Sequence, residues 1–556
     1  MPPRPLPPES PTVLPLSARL GALALIGALL AAIGWRFVGL DHLVVWHDEV
    51  FTLLRVFGFP QPEVEAAIFS RRLLDPAFLL QFQAPDPRYG WWESIRAFTE
   101  HPEHAPLYYV LAKLATGLPL EPIAAARGVS ALFGALLPLA VFWLMRELFG
   151  RGPIPWVAAL LVACSPTHFV YAQEARQYAL WTLTSVAATA AAVRALHRDR
   201  RRDWTLYALL CALGLWSHVL FALLLPIHAA YGLLAYRGRP HRALARRWML
   251  AASAAVLAFS PWLLVFVFHG ERAVHYTEWL SQPIGRMQMV IEWATHFPRL
   301  FVDFNWTGLG WWNLLLIPLV WAAIRFLRRA PRPASGLLGA LALLYILPML
   351  IPDLLFDGSR SQHVRYALPS VLAVQLMVAW VLGDALAAPA AGTRRWAAAA
   401  LAVLAAGGLA SLAAIERADT WWSKNYSAHS AELARTLNGR ERPLVLASGS
   451  GVAVGELISL AYGLDPKVRL WGERWGVDSV APLDGFDLPL VLTPSLELLL
   501  RLARGDYRLT PIAGTWQWLQ AERRAPPPPP PIADPVPAAE RTDPMRPPPR
   551  PAGDTP

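Results

Sequence analysis

The stretch that decides the fold is residues 20–49, LGALALIGALLAAIGWRFVGLDHLVVWHDE, in which an apolar run is followed closely by acidic residues. A helix needs about 20 apolar residues to cross a bilayer, and the run from 20 to 40 is long enough. Asp48 and Glu49 come soon after it, so both carboxylates fall near the membrane surface. Ionisable groups held at that depth are costly to desolvate and tend to mark a functional site. We therefore expect the chemistry of this chain in the polar loop 41–123.

The overall composition excludes an ordinary soluble protein. The chain has 556 residues, of which 55% are hydrophobic and 16% charged, and its mean hydropathy is +0.34. Such values are typical of a polytopic membrane protein. The net charge of +10 comes from arginines in short runs between apolar spans, which indicates membrane topology and not a nucleic-acid-binding face. Cys164 and Cys211 lie inside apolar runs, so we expect neither a disulfide nor a cysteine metal site.

Eleven apolar segments qualify, or nearly qualify, as membrane-spanning helices. They lie near residues 20–40, 124–145, 154–171, 176–196, 204–218, 219–236, 248–268, 311–327, 337–353, 364–384 and 396–415. Arginines are concentrated in the loops at 146–151, 194–202, 237–247, 325–332 and 394–395. Because basic loops favour the cytoplasmic side, we predict a multi-pass protein of the cytoplasmic membrane with a cytoplasmic N-terminus and an outer loop 41–123.

Composition divides the chain into four predicted regions. They are a cytoplasmic proline-rich N-terminus at 1–19, a transmembrane domain at 20–415, an outer domain at 416–524 and a disordered proline-rich tail at 525–556. Buried strands are expected at 443–448, 468–471 and 488–493, with helical stretches near 453–462 and 495–504. The predicted fold is therefore an all-α membrane bundle with a small extracytoplasmic α/β domain.

Two clusters of the outer loop could carry chemistry. Asp48 and Glu49 could remove a proton from an acceptor hydroxyl or hold a divalent cation, whereas the simpler alternative is a solvated turn. Glu103 and His104 together have the donor set of a divalent-metal site. They precede an apolar segment, 106–119, whose Tyr108 we place at the outer interface, although an aromatic belt explains that tyrosine equally well.

Two further pairs lie at the outer ends of predicted spans. Arg176 and Tyr178 could contact a lipid phosphate, because a guanidinium binds phosphate with two hydrogen bonds and a phenol can donate a third. An ion pair of Arg176 with Glu174 is the structural alternative. At that depth Arg365, beside Tyr366, must either pair with an anionic group, which a phosphate or a protein carboxylate could supply, or extend its side chain outward to the membrane surface.

These motifs together resemble the GT-C membrane glycosyltransferases, in particular the bacterial branch related to protein O-mannosyltransferases and aminoarabinose transferases. The resemblance spans about residues 20 to 385 and depends on the order of the motifs and the membrane side of each. The motifs are Trp46-His-Asp48-Glu49, His101-Pro-Glu103-His104-Ala-Pro-Leu-Tyr108-Tyr109, Ala126-Arg127 through Arg146-Glu-Leu-Phe-Gly150, Ser165-Pro166, Gln173-Glu174-Ala-Arg176-Gln-Tyr178 and Arg365-Tyr366. One departure is Ala105, which stands where the family often has the first of two prolines.

The resemblance implies a transferase that moves a hexose or pentose from a polyprenyl-phosphate donor to an acceptor hydroxyl on a lipid, glycan or protein. It assigns catalysis to Asp48 with Glu49 beside it. It assigns metal binding, if a divalent ion is used, to Glu103 and His104, and it implies no organic cofactor. The residues expected to bind substrate are His104, Tyr108, Arg176, Tyr178, Arg365 and Tyr366. Inversion at the sugar carbon with Asp48 as general base is the simplest route.

Two other functional classes fit many apolar spans. A transporter or lipid flippase would place polar residues near mid-membrane and often contains internal repeats. The chain shows no convincing repeat, and its notable polar residues gather at one membrane face, which favours a surface-facing enzyme. A non-catalytic assembly factor would use the outer domain as its active part. The sequence does not reveal the sugar or the acceptor.

Overall fold

The structure is a computed structural model that describes residues 16–235, 241–449, 451–512, 515 and 518–523. Most of the predicted proline-rich N-terminus, the tail 525–556 and part of the basic loop 237–247 lie outside these residues. The α-helices, numbered along the chain, are α1 (Leu16–Trp35), α2 (His47–Phe57), α3 (Gln61–Ile68), α4 (Pro76–Leu80), α5 (Trp91–Thr99), α6 (Leu107–Ala115), α7 (Pro122–Phe149), α8 (Pro153–Ala163), α9 (Pro166–Ala172), α10 (Tyr178–Arg198), α11 (Arg201–Ser217), α12 (Leu224–Ala235), α13 (His241–Thr277), α14 (Arg286–His296), α15 (Leu316–Arg329), α16 (Arg332–Leu344), α17 (Ile346–Phe356), α18 (Leu368–Leu386), α19 (Ala391–Arg417), α20 (Ser430–Asn438), α21 (Gly451–Ala461) and α22 (Leu496–Arg504). The strands are β1 (Leu73–Leu74), β2 (Pro443–Ser448), β3 (Arg469–Glu473), β4 (Asp487–Leu492), β5 (Tyr507–Pro511) and β6 (Trp518–Arg523).

Fewer helices meet the criteria for a membrane span than the sequence predicted. Among the described residues, six helices are long and apolar enough to cross a bilayer, namely α7, α10, α13, α15, α18 and α19. Two bent pairs, α8 with α9 and α16 with α17, bring the number to eight if each pair is one span. The other predicted segments correspond to α1, α11 and α12, which do not meet the same criteria. The structure thus supports six to eight spans among the described residues, and the predicted number of eleven is not established.

The two bent pairs lie inside apolar runs, 154–171 and 337–353, that the sequence predicted as single spans. Between α8 and α9 the chain turns by 58° at Cys164 and Ser165, just before Pro166. A proline at the first helical position starts a helix readily but cannot continue the preceding one. Between α16 and α17 the axis bends by 42° around Tyr345. Apolar composition alone therefore does not distinguish one long helix from two short ones.

Helix α7 separates the polar loop from a basic end of the bundle. Arg127 lies near its start, and Glu147 near its end, which places them about 30 Å apart at the ordinary helical rise. That length matches the hydrocarbon thickness of a bilayer, about 30 Å. At the far end, Arg198 lies 3.7 Å from Glu147, and Arg194 lies 2.9 Å from Asp203. The arginine-rich loops and the polar loop therefore occupy opposite ends of the bundle.

The strands form one mixed six-stranded sheet in the order β1-β3-β2-β4-β6-β5. β2 pairs in parallel with both β3 and β4, and the remaining neighbours are antiparallel. β2 is buried along its whole length, as expected for a central parallel strand covered on both faces. The strands expected near 443–448, 468–471 and 488–493 coincide closely with β2, β3 and β4.

The sheet also takes a strand from the first polar loop, which the sequence did not predict. Leu73 and Leu74 of β1 pair with Trp471 and Leu470 of β3. Helix α21 is almost entirely buried and packs against α2, α3 and α4 of the same loop. A helix that is apolar on all sides must be enclosed by neighbours, and here the polar loop supplies them. The loop and the C-terminal region are thus one packed unit.

Candidate active site

The start of α2 sets the directions of Asp48 and Glu49. The Glu49 carboxylate accepts a hydrogen bond from the backbone N–H of Trp46 at 2.9 Å, which closes the first turn of the helix. Successive residues of a helix point about 100° apart, so the two acids face different surroundings. Glu49 is fully buried, whereas the side chain of Asp48 keeps 24% of its exposure. Only Asp48 is open to a substrate.

Every acceptor position of Glu49 is taken by a protein donor. Arg127 donates two hydrogen bonds of 2.7 Å, the backbone N–H of Ala175 donates one of 2.7 Å, and the Nζ of Lys424 donates one of 3.1 Å. Burial alone would raise the pKa of Glu49, but Arg127 and Lys424 hold that pKa below its usual range. We therefore revise the prediction that Glu49 takes part in the chemistry and infer that it holds the surrounding elements together.

Asp48 is the meeting point of two arginines that are remote in sequence. Its Oδ2 lies 3.8 Å from Nη2 of Arg176 and 3.8 Å from Nη1 of Arg365. Arg176 belongs to the turn between α9 and α10, and Arg365 belongs to a 3-10 turn just before α18. Burial would raise the pKa of Asp48, but the two guanidinium groups lower it, so the carboxylate is ionised at neutral pH.

Positive charge exceeds negative charge around Asp48 because a third arginine, Arg55, lies close to it. All three arginines are at least nine-tenths buried. Buried N–H groups without a protein partner remain on Nε of Arg176, Nε of Arg365, and Nε and Nη1 of Arg55. Buried donors in native proteins nearly always have a partner, so this cluster is suited to an anionic ligand. Sequence reasoning missed Arg55, although its position two helical turns after Asp48 placed it on the same face of α2.

Aromatic rings surround the same arginines. The guanidinium carbon of Arg365 lies 5.0 Å from the ring centre of Trp46, 5.7 Å from that of Trp279 and 5.2 Å from that of Tyr366. Arg176 lies 5.8 Å from the ring centre of Tyr178. Cation–π contacts at these distances orient the guanidinium plane without using its N–H groups. The predicted residues Tyr178 and Tyr366 therefore lie beside the candidate anion site.

Glu103 and His104 border this pocket, yet their surroundings do not fit a metal ion. His101 Nδ1 lies 3.2 Å from Oε1 of Glu103, and His104 Nε2 lies 3.7 Å from the same oxygen. Nη2 of Arg176 lies 3.4 Å from His104 Nε2, so a permanent cation occupies the place that a metal would need. Burial and Arg176 hold the pKa of His104 well below its usual value. In the described ranges no group of three His, Cys, Asp or Glu has metal-binding geometry.

Two predicted site residues have contacts that the sequence did not suggest. The hydroxyl of Tyr108 donates to the backbone carbonyl of Ala126 at 2.9 Å, and the side chain is completely buried, so its contacts are with protein and not with the membrane interface. The structural alternative for Arg176, an ion pair with Glu174, is not formed, and Nζ of Lys424 lies 3.8 Å from Oε1 of Glu174 instead. The Glu103 Oε2 atom is buried without a partner and could accept a hydrogen bond from a substrate hydroxyl.

Residues 102–265, which include Glu103, His104, Arg127, Arg176 and Tyr178, match the family described as dolichyl-phosphate-mannose-protein mannosyltransferase. This match agrees with the predicted resemblance to the branch related to protein O-mannosyltransferases. The predicted GT-C resemblance is thereby confirmed. No curated protein sequence gives a significant match.

Solved structures that resemble this chain share little sequence with it. ArnT from Cupriavidus metallidurans bound to undecaprenyl phosphate has a TM-score of 0.48 at 15% identity, over 91% of this chain and 98% of that one. AglB, an oligosaccharyltransferase of Archaeoglobus fulgidus, has a TM-score of 0.43 at 14% identity, over 80% and 64%. The arabinosyltransferase EmbB of Mycobacterium smegmatis has a TM-score of 0.33 at 14% identity, over 78% and 44%.

Proposed function

We propose that this protein is an integral membrane glycosyltransferase that moves a sugar from a polyprenyl-phosphate donor to an acceptor hydroxyl. One observation carries the proposal: an ionised carboxylate, Asp48, lies within 3.8 Å of two buried arginines that keep unpaired N–H groups. A base beside an anion site is the arrangement that such a transfer needs. The matched family, which is described by a lipid-phosphate sugar donor, supports the choice of donor class.

The arginines have a direct chemical role in this proposal. When the bond between the sugar carbon and the phosphate oxygen breaks, negative charge grows on the leaving phosphate. Fixed cations in a partly dehydrated cleft stabilise that charge without reorganising water. Arg176 and Arg365 each approach Asp48 with a terminal nitrogen and keep Nε free, and Arg55 keeps two N–H groups free. These groups would hold the phosphate in place.

Asp48 supplies the other half of the reaction. Its lowered pKa keeps the carboxylate ionised, so it can accept the proton of the acceptor hydroxyl as that oxygen bonds to the sugar carbon. The carbon–phosphate-oxygen bond breaks as the new carbon–oxygen bond forms, which inverts the configuration at that carbon. No metal ion enters this route, because Arg176 lies against the predicted ligand His104.

The site lies at the outer face of the cytoplasmic membrane in this proposal. The arginine-rich loops occupy the end of α7 remote from Asp48, and basic loops favour the cytoplasmic side. The alternative of a transporter has less support where polar groups inside the bundle satisfy one another. His228, for example, lies 3.1 Å from both Thr189 and Tyr207 inside the bundle.

The substitution Asp48→Asn tests the proposal. The purified protein would receive polyprenyl-phosphate hexoses or pentoses together with membrane lipid or glycan extract, and released polyprenyl phosphate would be measured. We expect wild-type release with at least one donor and a loss of about 100-fold or more in Asp48→Asn, because general-base catalysis contributes about 10²–10⁴-fold. Asp41→Asn, an exposed acid of the same loop, is the matched control. Normal release by a folded Asp48→Asn variant excludes Asp48 as the base.

A further inference from the structure

Lys424 is a buried lysine from the C-terminal part of the chain that reaches the acidic motif of the first loop. It lies a few residues after α19, in the segment that leads to the sheet, and it is 0% exposed. Its Nζ donates to Oε2 of Glu49 at 3.1 Å and lies 3.8 Å from Oε1 of Glu174. A lysine is almost never fully buried unless it is paired, so this contact defines a specific position for the side chain.

The segment around Lys424 holds the residues just before Asp48 by further hydrogen bonds. Their donor and acceptor pairs are Val44 N–H to the Asp419 carbonyl at 2.9 Å, Trp46 Nε1 to the Asn425 carbonyl at 2.6 Å, and His47 N–H to the Ser427 hydroxyl at 2.9 Å. Helix α21 adds a bond of 2.6 Å from the Ser459 hydroxyl to the Val45 carbonyl. Residues that follow the last membrane helix therefore hold the approach to α2 from Val44 to His47.

The same network extends to the arginine side of the pocket. Glu49, which Lys424 contacts, also accepts the backbone N–H of Ala175, the residue before Arg176. Arg127 binds both oxygens of Glu49 and donates to the carbonyls of Leu40, Leu43 and Val44. One buried carboxylate thus connects the helix that carries Asp48 to the turn that carries Arg176, and Lys424 is its only ligand from beyond α19 among the described residues.

We propose that Lys424 is a positioning residue of the transfer reaction, and that the C-terminal α/β region is a required part of the catalytic unit. Lys424 does not touch the substrate in this proposal, which rests on the proposed function. It fixes Glu49, and Glu49 fixes Asp48 relative to Arg176. A displacement of about 1 Å between reacting groups can reduce turnover about 100-fold. The C-terminal α/β region therefore takes part in the reaction indirectly, by holding the pocket in its working geometry.

The test compares Lys424→Met, Lys424→Arg and the matched control Lys467→Met, an exposed lysine of the same C-terminal region. The proposal expects kcat to fall about 100-fold in Lys424→Met with KM for the lipid donor changed by less than about threefold, because only the alignment of groups is altered. Lys424→Arg should restore part of kcat because it keeps the charge. Lys467→Met should match the wild type. An unchanged kcat in Lys424→Met overturns the proposal.

Hydrogen–deuterium exchange gives a second result that does not depend on activity. In Lys424→Met, peptides that cover residues 44–57 and 173–177 should exchange faster, whereas peptides from α15 and α16 should not change. A uniform increase over the whole chain would mean general unfolding and would also overturn a positioning role. If the wild type transfers no sugar from any polyprenyl-phosphate donor, the proposed function fails, and the exchange pattern still decides whether Lys424 positions the pocket.

Discussion

Asp48 and Arg365 are far apart in the sequence, yet Oδ2 of Asp48 lies 3.8 Å from Nη1 of Arg365, whose guanidinium contacts Trp46 and Trp279. The distance exceeds that of a hydrogen bond, so the charges attract each other while Nε of Arg365 stays without a partner. The pair combines an ionised base with a cation that has donor capacity left. This relationship makes the site testable by single substitutions.

Arg365→Lys keeps the positive charge but removes the planar group that can hold a phosphate with two hydrogen bonds. We expect kcat/KM for the lipid donor to fall about 100-fold, comparable to the loss of one transition-state donor. Steady-state release of polyprenyl phosphate measures this change. Arg88→Lys, at an exposed position of the first loop, serves as the control. Wild-type kinetics in Arg365→Lys would show that Arg365 does not bind the phosphate.

Arg55→Gln removes a buried cation that has no carboxylate within ion-pair distance among the described residues. We expect the Kd for undecaprenyl phosphate to rise about tenfold, equivalent to about 1.4 kcal/mol. Thermal unfolding at increasing lipid concentration measures Kd, because a ligand stabilises only the state that it binds. The lipid-free protein should be as stable as the wild type or more so, since an uncompensated buried charge is costly.

The matched control for Arg55→Gln is Arg96→Gln, whose side chain is 75% exposed. A variant Arg55→Gln that loses stability without lipid but binds the lipid normally would assign Arg55 to the packing of α2 instead of to the ligand.

Glu174 predicts a pH dependence of stability. Burial raises its pKa from 4.5 to about 7, although Lys424 partly opposes that shift. At pH values between 4.5 and about 7 the Glu174 carboxyl keeps its proton in the folded protein and loses it in the unfolded chain. The free energy of unfolding therefore falls as the pH rises through this range. The thermal midpoint should therefore decrease from pH 5 to pH 8. In Glu174→Gln the same decrease should be smaller by several degrees, and an identical pH profile would contradict the shift.

Cysteine labelling tests the membrane orientation. Cys164 and Cys211 are both buried, so the background reaction with an impermeant maleimide should be low. Asp478→Cys, in the sheet region, should react in intact cells, whereas Arg200→Cys, at the basic end, should react only after the membrane is permeabilised. The reverse pattern would place the pocket on the cytoplasmic side.

The sequence placed Asp48, Arg176 and Arg365 at one membrane face, because membrane spans restrict loops to one of two sides, and the GT-C resemblance assigned them to one site. Residues that are remote in sequence can therefore be assigned to the same membrane face before the packing of the helices is known. This restriction does not determine which of two adjacent acids turns inward. The hydrogen bond from Trp46 N–H to Glu49 and the bonds from Arg127, Ala175 and Lys424 determine that, and the last three partners are remote in sequence.

Other features depended on contacts that no local pattern contains. Lys424 becomes important only because Glu49 is buried opposite it, and the strand of Leu73 and Leu74 is too short to give an alternating pattern. The predicted number of spans exceeds eight because the segments of α1, α11 and α12 were also counted, and the bends before Pro166 and near Tyr345 lie inside single predicted spans. Composition measures how apolar a segment is but not where its helix axis changes direction.

The pairing of β1 with β3 has a consequence for biosynthesis. Ribosomes make the loop with Asp48 early, whereas β3 and Lys424 emerge only after all the membrane helices have been made. A nascent or prematurely terminated chain lacks the partners that complete the pocket, so it should be inert even if it is correctly inserted. The protein would then acquire activity in a single late step, when the C-terminal strands pack against the loop that was synthesised earlier.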